Sequence, residues 1–145
     1  MTPARLLSAL VVGLCLLLGC HRNAPSDPAV DAFLRQAAED FNRVAGLDFP
    51  DKERKLMAAT PGPGRRLGFA YRIRGFAAAD RSTDRAKRYA QALRAELPGK
   101  VNQAEIFQNL ARQQVTLVYD YAGMDGAPLF RIQLRPEPGK GYRLD

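Results

Sequence analysis

The sequence predicts an α+β domain, an antiparallel sheet of about four strands covered on one face by about three helices, in the order α-β-β-α-α-β-β. Three observations predict it. Apolar residues recur at helical spacing in three stretches, apolar and polar residues alternate in others, and Pro-Gly or Asp-Gly turns separate them. A chain of 145 residues, 46% of them hydrophobic, is long enough for one such domain and too short for two.

Asp27-Pro28 is a helix start, with Asp as N-cap and Pro in the first turn. Val30, Phe33, Leu34, Ala37, Phe41 and Val44 follow at helical spacing, and Gly46 ends the run. Residues 54–60 read as a short strand. After Pro61-Gly62-Pro63-Gly64, the residues Leu67, Phe69, Tyr71 and Ile73 alternate as a strand with one buried face. Asp80 is the expected cap of a second helix, with Ser82 and Thr83 helping to start it. Ala86, Tyr89, Ala90, Leu93 and Leu97 share its face, and Pro98-Gly99 is the expected stop. Asn102 with Glu105 has capping-box spacing and Val101 with Ile106 has staple spacing, which predicts a third helix. Val115, Leu117, Tyr119 and Tyr121 then alternate, Gly123-Met124-Asp125-Gly126 turns the chain, and Phe130, Ile132 and Leu134 complete a hairpin. The domain is thus expected over residues 29–135, with residues 136–145 as a loose tail.

The N-terminus reads as an address. Residues 6–18 form an apolar run of thirteen behind the single charge of Arg5, short of the ~20 residues a membrane-spanning helix needs. Leu17-Leu18-Gly19-Cys20 follows. This resembles the lipobox of bacterial lipoproteins, in which Leu17 and Gly19 fit the cleavage signal and Cys20 is lipidated as the new N-terminus. The resemblance implies a signal peptide over residues 1–19, and a lipidated Cys and polar tether over residues 20–28. It also implies attachment to a membrane through acyl chains. His21 rather than Asp after Cys20 favours, by the same resemblance, the periplasmic face of the outer membrane over the inner membrane.

The mature chain would carry 21 basic and 15 acidic side chains and no free cysteine. Cysteine-based metal sites and thiol nucleophiles are excluded by that count, and no metal or cofactor is expected. The only histidine, His21, would lie beside the lipid, so a Ser-His-Asp triad has no base. Ser26, Ser82, Thr60, Thr83 and Thr116 are the remaining Ser and Thr hydroxyl nucleophiles, and Ser82 and Thr83 read as helix-start residues. Pro61-Gly62-Pro63-Gly64 lacks the Gly-Lys-Ser/Thr of a phosphate-binding loop. Asp120 and Asp125 are the carboxylates left for glycosidase-type chemistry, although Asp125-Gly126 has the chemistry of a turn. Enzyme is therefore the disfavoured class.

Strand parity places Arg66, Gly68, Ala70, Arg72 and Arg74 opposite the apolar set, and Arg131 and Arg135 opposite Phe130, Ile132 and Leu134. One sheet face would carry five arginines over a shallow floor of Gly68 and Ala70, suited to phosphate or carboxylate groups. The competing reading is the ordinary wet side of a two-layer domain, with Asp120 diluting the charge. An envelope protein, an anionic glycan or a lipid headgroup fits an exported basic face, and nucleic acid does not.

Phe41-Asn42, Pro50-Asp51, Pro61-Gly62-Pro63-Gly64, Tyr71, the run Val115-Thr116-Leu117-Val118-Tyr119-Asp120-Tyr121 and Asp125-Gly126 together resemble a group of small exported proteins of Gram-negative bacteria. The resemblance spans most of residues 30–135 and supports the element order. Members often carry a cysteine pair in the domain, which this chain lacks, and the group brings no catalytic residues. The leading expectation is a non-enzymatic envelope lipoprotein that binds an envelope component or protein through the basic sheet face. The alternatives are a periplasmic inhibitor or immunity-type lipoprotein against a toxin or hydrolase, and a pilot protein for an outer-membrane assembly. A carboxylate-dependent hydrolase is the remaining enzyme reading.

Overall fold

The computed structural model describes residues 27–46 and 53–145. The Asp27 carboxylate accepts from the Ala29 N–H at 3.0 Å, and with Pro28 it starts helix α1 (Pro28–Asn42). Strands β1 (Arg54–Gly62) and β2 (Arg66–Ile73) form a hairpin, closed by Gly64 and Arg65 in the left-handed region. Helices α2 (Asp84–Asn102) and α3 (Glu105–Arg112) follow, then β3 (Thr116–Ala122), β4 (Pro128–Glu137) and β5 (Gly141–Leu144).

The sheet has five strands in the order β1-β2-β3-β4-β5, and it is mixed rather than antiparallel, because β2 and β3 run parallel. The reason lies in α2. Its 19 residues span ~28 Å, enough to carry the chain back along β2 to the end where β2 began. The eight-residue α3 is too short to cross the sheet again, so β3 must run with β2. Pro98-Gly99 does not stop α2, contrary to expectation. The helix continues through Pro98 to Asn102, because Leu97 and Val101 are both buried on its inner face. The bond lost at Pro98 costs up to ~3 kcal/mol, which burial of these two side chains offsets at roughly 1.5–3 kcal/mol each.

Two caps also differ. Thr83, not Asp80, caps α2 by accepting from the Ala86 N–H at 3.2 Å, while Asp80 accepts from Ala77 to close a 3-10 turn at Ala78–Asp80. The capping box expected of Asn102 and Glu105 is absent. Ala104 stands at the start of α3, and the Asn102 side chain is engaged elsewhere. Residues 136–145 are no loose tail: they hold the end of β4 and all of β5. Buried Tyr142 fastens them by donating to the Val115 carbonyl at 2.7 Å.

Helix α1 lies over β1 and β2, whereas α2 and α3 lie over β4 and β5. Leu34 and Ala37 of α1, Leu93 of α2 and Leu110 of α3 meet Leu56, Leu67, Leu117, Ile132 and Leu134 of the sheet in one core. An aromatic ladder crosses its middle. Phe69 stacks on Tyr119 at 4.9 Å and Tyr71 on Tyr121 at 5.5 Å, both pairs lying opposite one another across the parallel β2-β3 register.

Both edges of the sheet are closed by the last residue of a helix. Asn42 donates to the Ala59 carbonyl at 2.8 Å and accepts from its N–H at 2.7 Å, so its amide replaces one residue of a neighbouring strand on β1. Pro61, two residues on, offers no N–H. Asn102 does the same for Tyr142 on β5, at 3.0 and 2.7 Å. Unpaired edges template strand addition, and these amides block it. Asn102→Ala leaves the backbone N–H and C=O of buried Tyr142 without this partner and is expected to cost about 2 kcal/mol. Urea unfolding checks the magnitude, and faster exchange of the Tyr142 amide checks the site.

Candidate functional site

The face of the sheet away from α1, α2 and α3 is built by outward residues of β1 to β4: Lys55 of β1, Arg66, Gly68, Ala70 and Arg72 of β2, Val118, Asp120 and Ala122 of β3, and Arg131 and Arg135 of β4. Register decides what these side chains do. Asp120 and Arg131 are direct partners across β3 and β4, and they form a bidentate pair with Arg131 donating at 2.6 and 3.1 Å. Arg135 pairs with Asp145 at 2.6 Å. Two of the five expected arginines are thus neutralised. Arg66 stands at the far end of β2, ~20 Å from Arg72 along the strand, and Arg74 lies beyond the end of β2, where its N–H bonds Glu53. The five arginines do not form one continuous face. Arg72 and Arg131 are the two that line a common groove.

That groove, of about 610 Å³, has Ala70 and Ala122 as its floor. Met57, Arg72, Arg81, Leu129 and the Asp120–Arg131 pair also line it. Its shallow apolar floor exists because the outward residues at the centre of β2 and β3 are small. Met57 and Arg72 also line a second groove of about 300 Å³, together with Glu53, Arg54, Lys55, Arg74 and Met124. Met57 and Met124 are among the most exposed large apolar side chains of the described residues, at 39% and 53%.

Two close approaches hold Met124 there. The loop after β2 crosses the β3-β4 turn, where Met124 donates its N–H to the Phe76 carbonyl at 2.8 Å. A Cβ on Gly123 would lie 2.6 Å from that same carbonyl oxygen, so only glycine fits. Asp125 ties the two segments by accepting from Ala78 at 2.9 Å and Ala127 at 3.1 Å. These backbone hydrogen bonds, that of Ala78 foremost, hold its carboxyl below the usual range. Asp125 is a turn residue and Asp120 a salt-bridge partner.

No group of three or more His, Cys, Asp or Glu is assembled among the described residues. No described helix is long and apolar enough to cross a membrane. Cys20, Leu17 and Gly19, together with Pro50 and Asp51, lie outside the described residues. Lys55, Met57 and Met124 escaped the sequence reading. Their contribution depends on the β1-β2 register, which a bulge between Leu56 and Ala58 shifts, and on the crossing of the loop over the β3-β4 turn. The alternation of Lys55 against Leu56 was the one local signal.

No family model matches the sequence, and no curated protein matches it. Two solved structures share the fold. A protein of Pseudomonas aeruginosa described as secreted superposes with a TM-score of 0.57 at 14% identity, over 74% of this chain and 89% of that one. The pilotin of the Vibrio vulnificus type 2 secretion system superposes with a TM-score of 0.51 at 12% identity, over 74% of this chain and 92% of that one. At these identities the likeness is one of fold alone.

Proposed function

We propose that this chain is a non-enzymatic, lipid-anchored envelope protein that acts as a pilot, holding a protein of an outer-membrane assembly at the membrane. The observation that carries the reading is the fold likeness to a secretion pilotin over 92% of that chain. The lipobox-like Leu17-Leu18-Gly19-Cys20 supports it from the other end of the molecule. In the bacterial lipoproteins this resembles, acyl chains on the cysteine give stable attachment, because one chain alone binds only marginally. The chemistry of the groove also favours binding over catalysis. Its carboxylate Asp120 is held by Arg131.

The closed sheet edges bear on how such a partner would be held. Strand addition at the centre of β1 or on β5 competes with Asn42 and Asn102, so faces and grooves are the better docking surfaces. Cys20→Ser is expected to abolish palmitate labelling, to move the protein out of the membrane fraction, and to mislocalise one envelope assembly as deletion does. A Cys20→Ser protein that stays membrane-bound, or a deletion strain whose envelope assemblies are all intact, overturns the reading.

A further inference from the structure

The groove at the open end of the β1-β2 hairpin has a charge arrangement the fold itself does not explain. Lys55 and Arg72 lie directly opposite one another on adjacent strands, on the same face. Like charges placed so are destabilising. The sheet contains a second such pair, Arg135 opposite Arg143, and there each cation has a carboxylate: Asp145 at 2.6 Å from Arg135 and Glu137 at 4.0 Å from Arg143. Lys55 and Arg72 form no ion pair or hydrogen bond with a described residue, and neither does the Arg74 side chain next to them. Glu53 is the carboxylate lining this groove, and it already has a partner. Asp125 feels Arg72 through space, but two backbone N–H groups occupy it. Exposed Met57 and Met124 flank the cations, adaptable apolar side chains that suit a peptide surface.

Position narrows the occupant. The chain enters the domain at Asp27, 3.9 Å from Arg65 in the β1-β2 turn, whereas Lys55 and Arg72 stand at the opposite end of that hairpin, ~20 Å away. A domain tethered through its N-terminus therefore turns this groove away from its own membrane, which disfavours lipid headgroups. The geometry points to this groove as the docking site for an acidic segment of a partner protein, its carboxylates on Lys55, Arg72 and Arg74 and an aliphatic side chain between Met57 and Met124. The inference deepens the pilot reading by naming the chemistry of the partner, and rests on it for the orientation relative to the membrane.

The test uses the full-length protein in detergent and fluorescence anisotropy of a labelled peptide of alternating glutamate and leucine. The glutamine-leucine peptide of equal length is the neutral control, and water-soluble dihexanoyl phosphatidylglycerol is the headgroup competitor. The acidic peptide is expected to bind and the neutral one not to. Lys55→Gln with Arg72→Gln is expected to weaken binding at least about tenfold, as loss of two charge-assisted contacts implies. Met57→Ser with Met124→Ser should weaken it too. Arg66→Gln with Lys140→Gln removes the same charge elsewhere and should leave affinity within about twofold. The Lys55→Gln, Arg72→Gln protein should melt no lower than wild type, since a repulsion has been relieved, which separates lost binding from lost folding. Equal weakening by the Lys55→Gln, Arg72→Gln protein and the Arg66→Gln, Lys140→Gln protein, absence of acidic-peptide binding, or displacement of the peptide by the headgroup overturns the inference. An intact peptide site in a protein whose deletion harms no assembly would instead overturn the pilot reading alone, and a lost assembly with no peptide binding would overturn the inference alone.

Discussion

Phe69→Ala is expected to lower the free energy of unfolding by about 4 kcal/mol, a large share of the roughly 5–15 kcal/mol that holds a typical domain together. Phe69 is 2% exposed on the second strand of five and touches aromatic rings from three other elements. Phe41 of α1 meets it edge-on at 4.9 Å, Tyr119 of β3 stacks on it at 4.9 Å, and Phe107 of α3 approaches to 6.1 Å. It is therefore where α1, α3 and the parallel strand pair converge. Truncation removes apolar area and leaves a cavity that four separate elements would have to close together, which rigid strands resist. Phe69→Leu keeps most of the volume and is expected to cost less, about 1.5 kcal/mol, the remainder being ring contacts. Urea unfolding of the two variants checks both values. A loss below about 1 kcal/mol for Phe69→Ala would mean that the aromatic cluster does not link the helices to the sheet.

The alternation that made β2 and β3 readable also gave the correct inward set, Leu67, Phe69 and Ile73 against Leu117, Tyr119 and Tyr121. What it left open was adjacency. A parallel pair has no hairpin turn to announce it, and here it depends on whether α2 outlasts Pro98, which tertiary burial of Val101 decides. β5 was illegible for a related reason. Its four residues hold one apolar anchor, Tyr142, whose partners Asn102 and Val115 are 40 and 27 residues away. The site was half legible. Parity found the arginines on one side, but the pairing of Arg135 with Asp145 needed the position of the C-terminus, and the Lys55–Arg72 opposition needed the register beyond a bulge. Parity also put Asp120 on the arginine face, but its pairing with Arg131 came from the β3-β4 register.

Above pH ~10 the protein is expected to lose stability steeply, because folding opposes ionisation of its core tyrosines. Burial foremost, then the neighbouring Tyr71 hydroxyl, pushes Tyr121 up, against a smaller opposing effect of Arg54, which hydrogen-bonds it. Burial likewise raises Tyr119 and Tyr142. In the unfolded chain all three ionise near pH 10, so above that pH the unfolded state holds fewer protons than the native one. Stability is then flat below pH ~10 and falls as pH rises through the window between the unfolded and folded values. Each tyrosine contributes about 1.4 kcal/mol per pH unit in that window, and the three together about 4. Tyr121→Phe is expected to reduce the slope by about a third without changing its onset. Tyr119→Phe differs in sign at neutral pH, because the Tyr119 hydroxyl is buried with no hydrogen-bond partner among the described residues. Its removal is expected to stabilise by about 1 kcal/mol at pH 7 as well as to flatten the alkaline limb. Circular dichroism and tyrosinate absorbance, followed together across the titration, check the mechanism. Ionisation of these three hydroxyls should coincide with loss of structure, and their titration near pH ~10 in a fully folded protein would rule the mechanism out.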